Sequence, residues 1–280
     1  MSSLSKSAHE YSVLASQALR DQKYSESIGF YQQAVNSYLG TDGKKVVELC
    51  KAAGCLRNMG AIHRLIKSYR RASICWTKAD EFYRRCQTKL VKFPSESQAF
   101  EEQICLEAIV AELTHARVRL LKSMKDYGTA IQCCSILLSQ LQTSLDAPKS
   151  QTVIDKVAFV PMAEEDLRMG IVQTLESLGD LHLLTGSYEE SQGFLETALQ
   201  MVDSRKMKGC NERTRVRILQ NIASVFLQKG DVNRAYDRLE TSVEILEAMD
   251  QQWSLEAMAL MDRIGRGFEE LGQFDFALPW

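Results

Sequence analysis

Apolar positions along this chain recur at steps of three and four. Ala235, Leu239, Val243 and Leu246 are spaced by four, four and three residues, which places them on one stripe of an α-helix. Such a stripe packs a core far more often than it lines a ligand box. The 280 residues include only 4 Pro and 15 Gly, and helix interiors tolerate neither well. The pattern predicts helices over most of the length, interrupted at a few polar or proline-bearing segments.

The predicted helices come in pairs with a fixed internal spacing. The clearest pair starts at Leu178-Gly179-Asp180, turns at Thr185-Gly186-Ser187 and continues from Tyr188 through Ser191, Leu195 and Ala198. Small residues (Gly179, Ser191, Ala198) stand where two antiparallel helices would cross, and large ones stand between them. The same offsets, counted from Gly60, reach Tyr69, Ala72, Trp76 and Ala79. From Ala223 they reach Val232, Ala235, Leu239 and Val243, with Gly230 at the turn. From Ala15 they reach Tyr24, Ser27, Tyr31 and Ala34. From Val118 they reach Tyr127, Ala130, Cys134 and Leu137. From Gly265 they reach Gly272 at the turn, then Phe274 and Ala277.

This repeat resembles the tetratricopeptide repeat. The resemblance covers nearly the whole chain, with each motif degenerate. It implies an all-α fold, a right-handed superhelical solenoid of about six helix-turn-helix units with the last incomplete. A plain helical bundle is the alternative. The residues opening each second helix are spaced by 45, 58, 61, 44 and 42. The usual period is about 34, so these helices or loops are expected to be longer.

The wide spacings locate irregular segments. Pro94 disfavours helix at Phe93 and ends the second unit. Ser95 is then expected to cap a helix from about Ser97 to Lys122. Pro148, Pro161 and a Ser/Thr/Asp mixture mark residues 143–162 as a connecting loop. The expected organisation is units one to three over 1–142, the loop, and units four to six over 163–280, in one continuous solenoid. Solenoids normally finish on a polar cap. Leu278-Pro279-Trp280 would instead leave an apolar face bare, as a truncated or spliced end or a docking face would.

Composition narrows the class. Hydrophobic residues make up 45% and charged residues 25%, ordinary for a globular protein. No apolar run is long enough to span a membrane, and the start Met1-Ser2-Ser3-Leu4-Ser5-Lys6 lacks a secretory signal's apolar core. The expected location is cytoplasmic, with the nucleus as alternative. The eight cysteines form no Cys-x-x-Cys and no zinc-ribbon spacing. They read as buried thiols acting as small hydrophobes. No cofactor or metal is expected.

Charge changes the picture most. From Lys44 to Lys92, thirteen Lys and Arg face only Glu48, Asp80 and Glu81, giving +10, although the chain's net charge is −2. Such asymmetry steers partner choice rather than fold. In the tetratricopeptide arrangement the first helix of each unit lines the concave groove. The resemblance then places Arg57 and Arg64 of unit two, and Arg119 and Lys122 of unit three, in that groove. Four cations there suit an acidic or phosphorylated segment; a solvated basic face is the alternative.

A subset of the family grips the acidic tail of heat-shock chaperones with Lys and Asn one turn apart. The matching places here hold Ser12 and Ser16, Arg57 and Ala61, then His115 and Arg119. No chaperone-tail clamp is therefore expected, and Glu176 and Asp180 of unit four would repel a carboxylate. No phosphate-binding glycine loop, His-Glu-x-x-His or Gly-x-Ser-x-Gly occurs, and the four histidines are scattered. His63 and His182 fall where a packing aromatic usually sits. The expectation is a non-enzymatic protein-interaction scaffold or adaptor. A vesicle-trafficking adaptor of the α-SNAP type and a nucleic-acid-associated repeat are lesser alternatives, the latter unsupported by any recognised motif.

Overall fold

In a computed structural model, the described residues are 7–40, 45–92, 105–146, 162–204 and 212–249, with isolated positions between 262 and 272. They form ten helices: α1 Ala8–Arg20, α2 Tyr24–Gly40, α3 Val46–Leu65, α4 Tyr69–Lys92, α5 Leu106–Ser123, α6 Tyr127–Asp146, α7 Glu164–Leu184, α8 Tyr188–Asp203, α9 Glu212–Lys229 and α10 Val232–Ala248. No strand occurs among the described residues. α1 and α2, α3 and α4, α7 and α8, and α9 and α10 pair into hairpins, and each second helix of the repeats begins at the residue the spacing names: Tyr24, Tyr69, Tyr127, Tyr188 and Val232. The sixth repeat lies mostly outside the described residues, as do Phe274, Ala277 and the Leu278-Pro279-Trp280 end.

The chain divides into two compact bodies. The first comprises Met1–Cys133 with Pro148–Ala163, the second Cys134–Ala147 with Glu164–Trp280. The division falls within α6. In the first body α1 packs on α2, α2 on α3, α3 on α4 and α4 on α5; in the second, α7 on α8, α8 on α9 and α9 on α10.

One turn conformation recurs at the turns among the described residues. The seventh residue after the small first-helix position has a positive φ each time: Gln22 at 58°, Lys67 at 58°, Lys125 at 61°, Gly186 at 79°, Gly230 at 77° and Gly272 at 71°. The following N–H reaches back five residues, as Ser68 to the His63 carbonyl at 2.8 Å and Asp231 to Phe226 at 2.9 Å. This left-handed cap satisfies carbonyls that the ending helix leaves open. The same residue then starts the next helix. Asp126 Oδ1 accepts the Thr129 N–H and Asp231 Oδ1 the Arg234 N–H, both at 3.2 Å. One position thus ends one helix and caps the next, which keeps each turn short.

The small residues permit close helix crossings. A Cβ on Gly60 would land inside the Trp76 indole, and one on Gly179 would lie 2.5 Å from Leu195 Cγ. Both contacts join residues sixteen apart, as the spacing predicts. Trp76 Nε1 donates to the Arg57 carbonyl at 2.9 Å, so the buried indole keeps its hydrogen bond. Where the crossing residue is Ser rather than Ala, its hydroxyl donates across the crossing. Ser27 Oγ bonds the Ala15 carbonyl at 2.7 Å, and Ser191 Oγ the Gly179 carbonyl at 2.6 Å. Both serines are fully buried, and these bonds offset the cost of burying a hydroxyl.

Several sequence expectations move. The helix expected from Ser97 does not run through Cys105, which is extended (φ −93°, ψ 96°) and precedes α5 at Leu106. No glycine or proline stands at Cys105 or Leu106; Leu106 is buried and anchors the first turn of α5 in the core. Residues 93–104, including Pro94 and Ser95, lie outside the described set. α6 continues to Asp146, past the expected loop start at Thr143. The Thr143 hydroxyl bonds the Ser139 carbonyl at 2.7 Å, which ties this polar residue into the helix. In α10, Ser242 is buried while Val243 is only half-buried. The Ser242 hydroxyl bonds the Arg238 carbonyl at 2.9 Å, so a polar residue serves on the core side.

Candidate functional site

The basic residues lie on the first body's α3 and α5, both of which pack on α4. Residues of all three helices share one core, including Leu49, Ile62, Trp76, Tyr83, Leu113 and Leu120. On α3, Arg57 and Arg64 are seven residues apart, two turns along one side. On α5, Arg119 and Lys122 are three apart, one turn along one side. Arg64 and Lys122 occupy the same repeat position. Each gives its carbonyl, at 3.0 Å, to the N–H of the left-handed turn residue, Lys67 or Lys125. Cations there also complement the helix dipole by about 0.3–1 kcal/mol.

The four differ in environment. Arg64 and Arg119 are exposed, whereas Arg57 and Lys122 are half-buried. The Arg57 charge favours the anionic forms of Cys50 on α3 and Tyr83 on α4. For Tyr83 burial outweighs it and pushes the phenol up. Among the described residues Arg57, Arg64 and Arg119 enter no ion pair, whereas Lys122 is already engaged. Beside these charges Leu65, Ile66 and Met124 remain exposed by 58%, 42% and 41%. Both helices thus carry cations without ion pairs, and exposed apolar residues stand at or just after each helix end.

Other charges are spoken for. Asp80 of α4, counted in the sequence as one weak counterweight, is buried between two arginines. Its Oδ2 accepts Arg84 Nε at 3.0 Å and the Arg117 guanidinium of α5 at 3.2 Å. This bridge ties the second repeat to the third. The sequence gives no sign of it, because 37 residues separate the partners. In the second body Glu176, expected to repel a carboxylate, is gripped by Arg217 of α9 at 2.5 and 2.8 Å and by Asn221 at 3.3 Å. Its charge is neutralised in place. Asp180 is likewise engaged.

Three of the four histidines are packing groups, and His9 is exposed. His63 is buried, and burial first, then Arg71, holds its pKa below the ordinary value. His115 is lowered by burial and then by Arg119. His182 packs against Phe194 with ring centroids 5.3 Å apart. Of the cysteines, Cys50, Cys55, Cys75, Cys86 and Cys134 are buried and Cys105 and Cys133 half-buried, all as free thiols; Cys210 lies outside the described residues. No group of His, Cys, Asp and Glu among the described residues could hold a metal ion. No described helix is long and apolar enough to cross a membrane.

No protein-family model matches the sequence, and no curated protein matches it. Solved structures do match. The apo form of RapI is similar over 97% of this chain and 94% of its own, with TM-score 0.54 and 12% identity. The kinesin light chain TPR-like repeats from Podosopora anserina match over 87% of this chain and 96% of theirs, with TM-score 0.53 and 11% identity. MamA matches over 89% and 96%, with TM-score 0.52 and 12% identity. At such identities the likeness is one of fold. That fold is the all-α stack of tetratricopeptide-type hairpins.

Proposed function

We propose that this chain, folded as tetratricopeptide-type hairpins, is a non-enzymatic protein-interaction scaffold whose basic α3–α5 face receives an acidic or phosphorylated partner segment. The observation supporting this reading is the uneven pairing of charge. In the second body the groove-position carboxylate of Glu176 is matched by Arg217. In the first body Arg57, Arg64 and Arg119 have no counterion among the described residues. Like charges left together repel, and an anionic segment relieves that repulsion while forming charge-assisted hydrogen bonds. Leu65, Ile66 and Met124 supply apolar contact beside them. Capture is expected to weaken with salt, because exposed charges are screened within about 8–10 Å at physiological ionic strength.

The test is reversal of Arg64 and Arg119 to Glu in one variant. Pull-down from cell extract, read by mass spectrometry, should lose the major partner while circular dichroism stays unchanged. Undiminished capture of the same partner would refute the assignment of this face. Retention on RNA or DNA at low salt, lost steeply as salt rises, would favour the nucleic-acid reading.

A further inference from the structure

Arg57 and Arg64 account for only part of the +10 segment. On α4, Arg71, Lys78 and Arg85 are exposed and seven residues apart, on the side away from buried Ala72, Ala79 and Tyr83. Seven residues are nearly two turns, so these cations line one stripe at steps of about 10.5 Å. Ile74, 50% exposed, lies on the stripe between Arg71 and Lys78. Glu81 borders it, yet none of the three cations enters an ion pair among the described residues. Arg85 rests instead over the Phe82 ring, 5.7 Å from its centroid. The second body carries the opposite pattern on α10. Asp237, Glu240 and Glu244 are exposed and step by three and four, which puts them on one stripe as well. None of them enters an ion pair among the described residues. Arg234, the exposed cation beside them, is taken by Asp231 at 3.3 Å.

We infer that the α4 stripe is a docking face for a second copy of this chain, whose α10 stripe supplies the anions. Charge complementarity selects that occupant. The cations at 71, 78 and 85 and the carboxylates at 237 and 244 share a seven-residue step. Two helices laid side by side therefore match two opposite-charge pairs in register, with Ile74 giving apolar contact between them. Two α4 stripes set face to face would oppose cation to cation, and two α10 stripes carboxylate to carboxylate. Like faces repel and unlike faces attract, so the contact pairs α4 of one copy with α10 of the next. A net charge of only −2 lets copies approach despite charges of both signs. The inference does not rest on the acidic-segment reading, because Arg64 and Arg119 lie on other helices.

Analytical ultracentrifugation of the purified full chain should give a mass above the monomer that rises with protein concentration at about 0.05 M salt. At about 0.5 M salt the mass should fall to the monomer, because exposed charges are then screened. Lys78→Glu with Arg85→Glu should weaken association about tenfold, and so should Glu240→Lys with Glu244→Lys. An equimolar mixture of the two double variants should associate again, since each supplies the charge the other lacks. Arg64→Glu with Arg119→Glu should leave association unchanged, which separates this contact from the acidic-segment face. A chain that stays monomeric at low salt, or association that either reversal leaves intact, would overturn the inference. So would nucleic acid held by a monomeric chain and lost with Lys78→Glu and Arg85→Glu, because the α4 stripe would then serve another partner. The salt response of the unsubstituted chain decides the matter even if a variant does not fold.

Discussion

Replacing Asp80 by Asn tests how far the bridge between the second and third repeats supports the fold. Asp80 and Arg117 each keep only 12% of their side-chain surface exposed, so solvent screens them weakly. At 3.2 Å and an effective dielectric of about 20, their gross attraction is about 5 kcal/mol. Desolvation of two buried ions, at several kcal/mol each, offsets most of this. The pair is therefore worth little net against a well-packed apolar pair. Breaking it is different, because Arg117 would remain buried without its carboxylate. Its Nε and Asp80 Oδ1 already lack protein partners. Asp80→Asn is expected to cost about 3 kcal/mol, with the more exposed Arg84 adding little. In a chain of this size that lowers the thermal midpoint by about 6–12 °C. Urea unfolding followed by circular dichroism measures the loss directly. The double variant Asp80→Leu with Arg117→Met should recover most of it. A single-variant loss below about 0.5 kcal/mol would refute the reasoning, since it would mean the pair behaves as a screened surface bridge.

Two further predictions concern the turns and the histidines. Gly186→Ala should destabilise by about 1 kcal/mol, because alanine is strained at φ 79°. Lys67→Gly, at φ 58°, should be neutral or stabilise by about 0.5 kcal/mol, both measured by urea midpoint; equal effects would deny the turn its role. The folded-state pKa values of His63 and His115 lie below the ordinary value. The unfolded chain then binds more protons below about pH 6.5, so their contribution is complete above that pH and is lost as pH falls toward the folded values. His63→Phe should flatten the decline in stability between pH 7.5 and 5.5; an unchanged slope would remove His63 from the account.

Much of this architecture was legible in the residues because its causes are local. Gly60 and Trp76, or Gly179 and Leu195, are sixteen apart with only a short turn between them, so spacing alone predicts that they meet. The helix-opening Tyr24, Tyr69, Tyr127 and Tyr188 follow from the same offset. Gly186 and Gly230 declare their turns. Gln22, Lys67 and Lys125 do not, because their left-handed conformation is imposed by hairpins already fixed on either side.

By itself, the sequence determined helices, hairpins, turn positions and the concentration of charge at 44–92, since each depends on neighbours within one repeat. Only the tertiary structure decided which charges are used up. Whether Glu176 repels an anion depends on Arg217, and whether Asp80 is a surface charge depends on Arg117; both partners arrive from the next repeat. Arg57, Arg64, Arg119 and Lys122 were proposed as a binding face from repeat position alone. That Trp76 reaches the Arg57 carbonyl, and Cys86 the Val46 carbonyl, depends on how two helices cross. Local pattern carries no record of such a crossing until the core sets its distance.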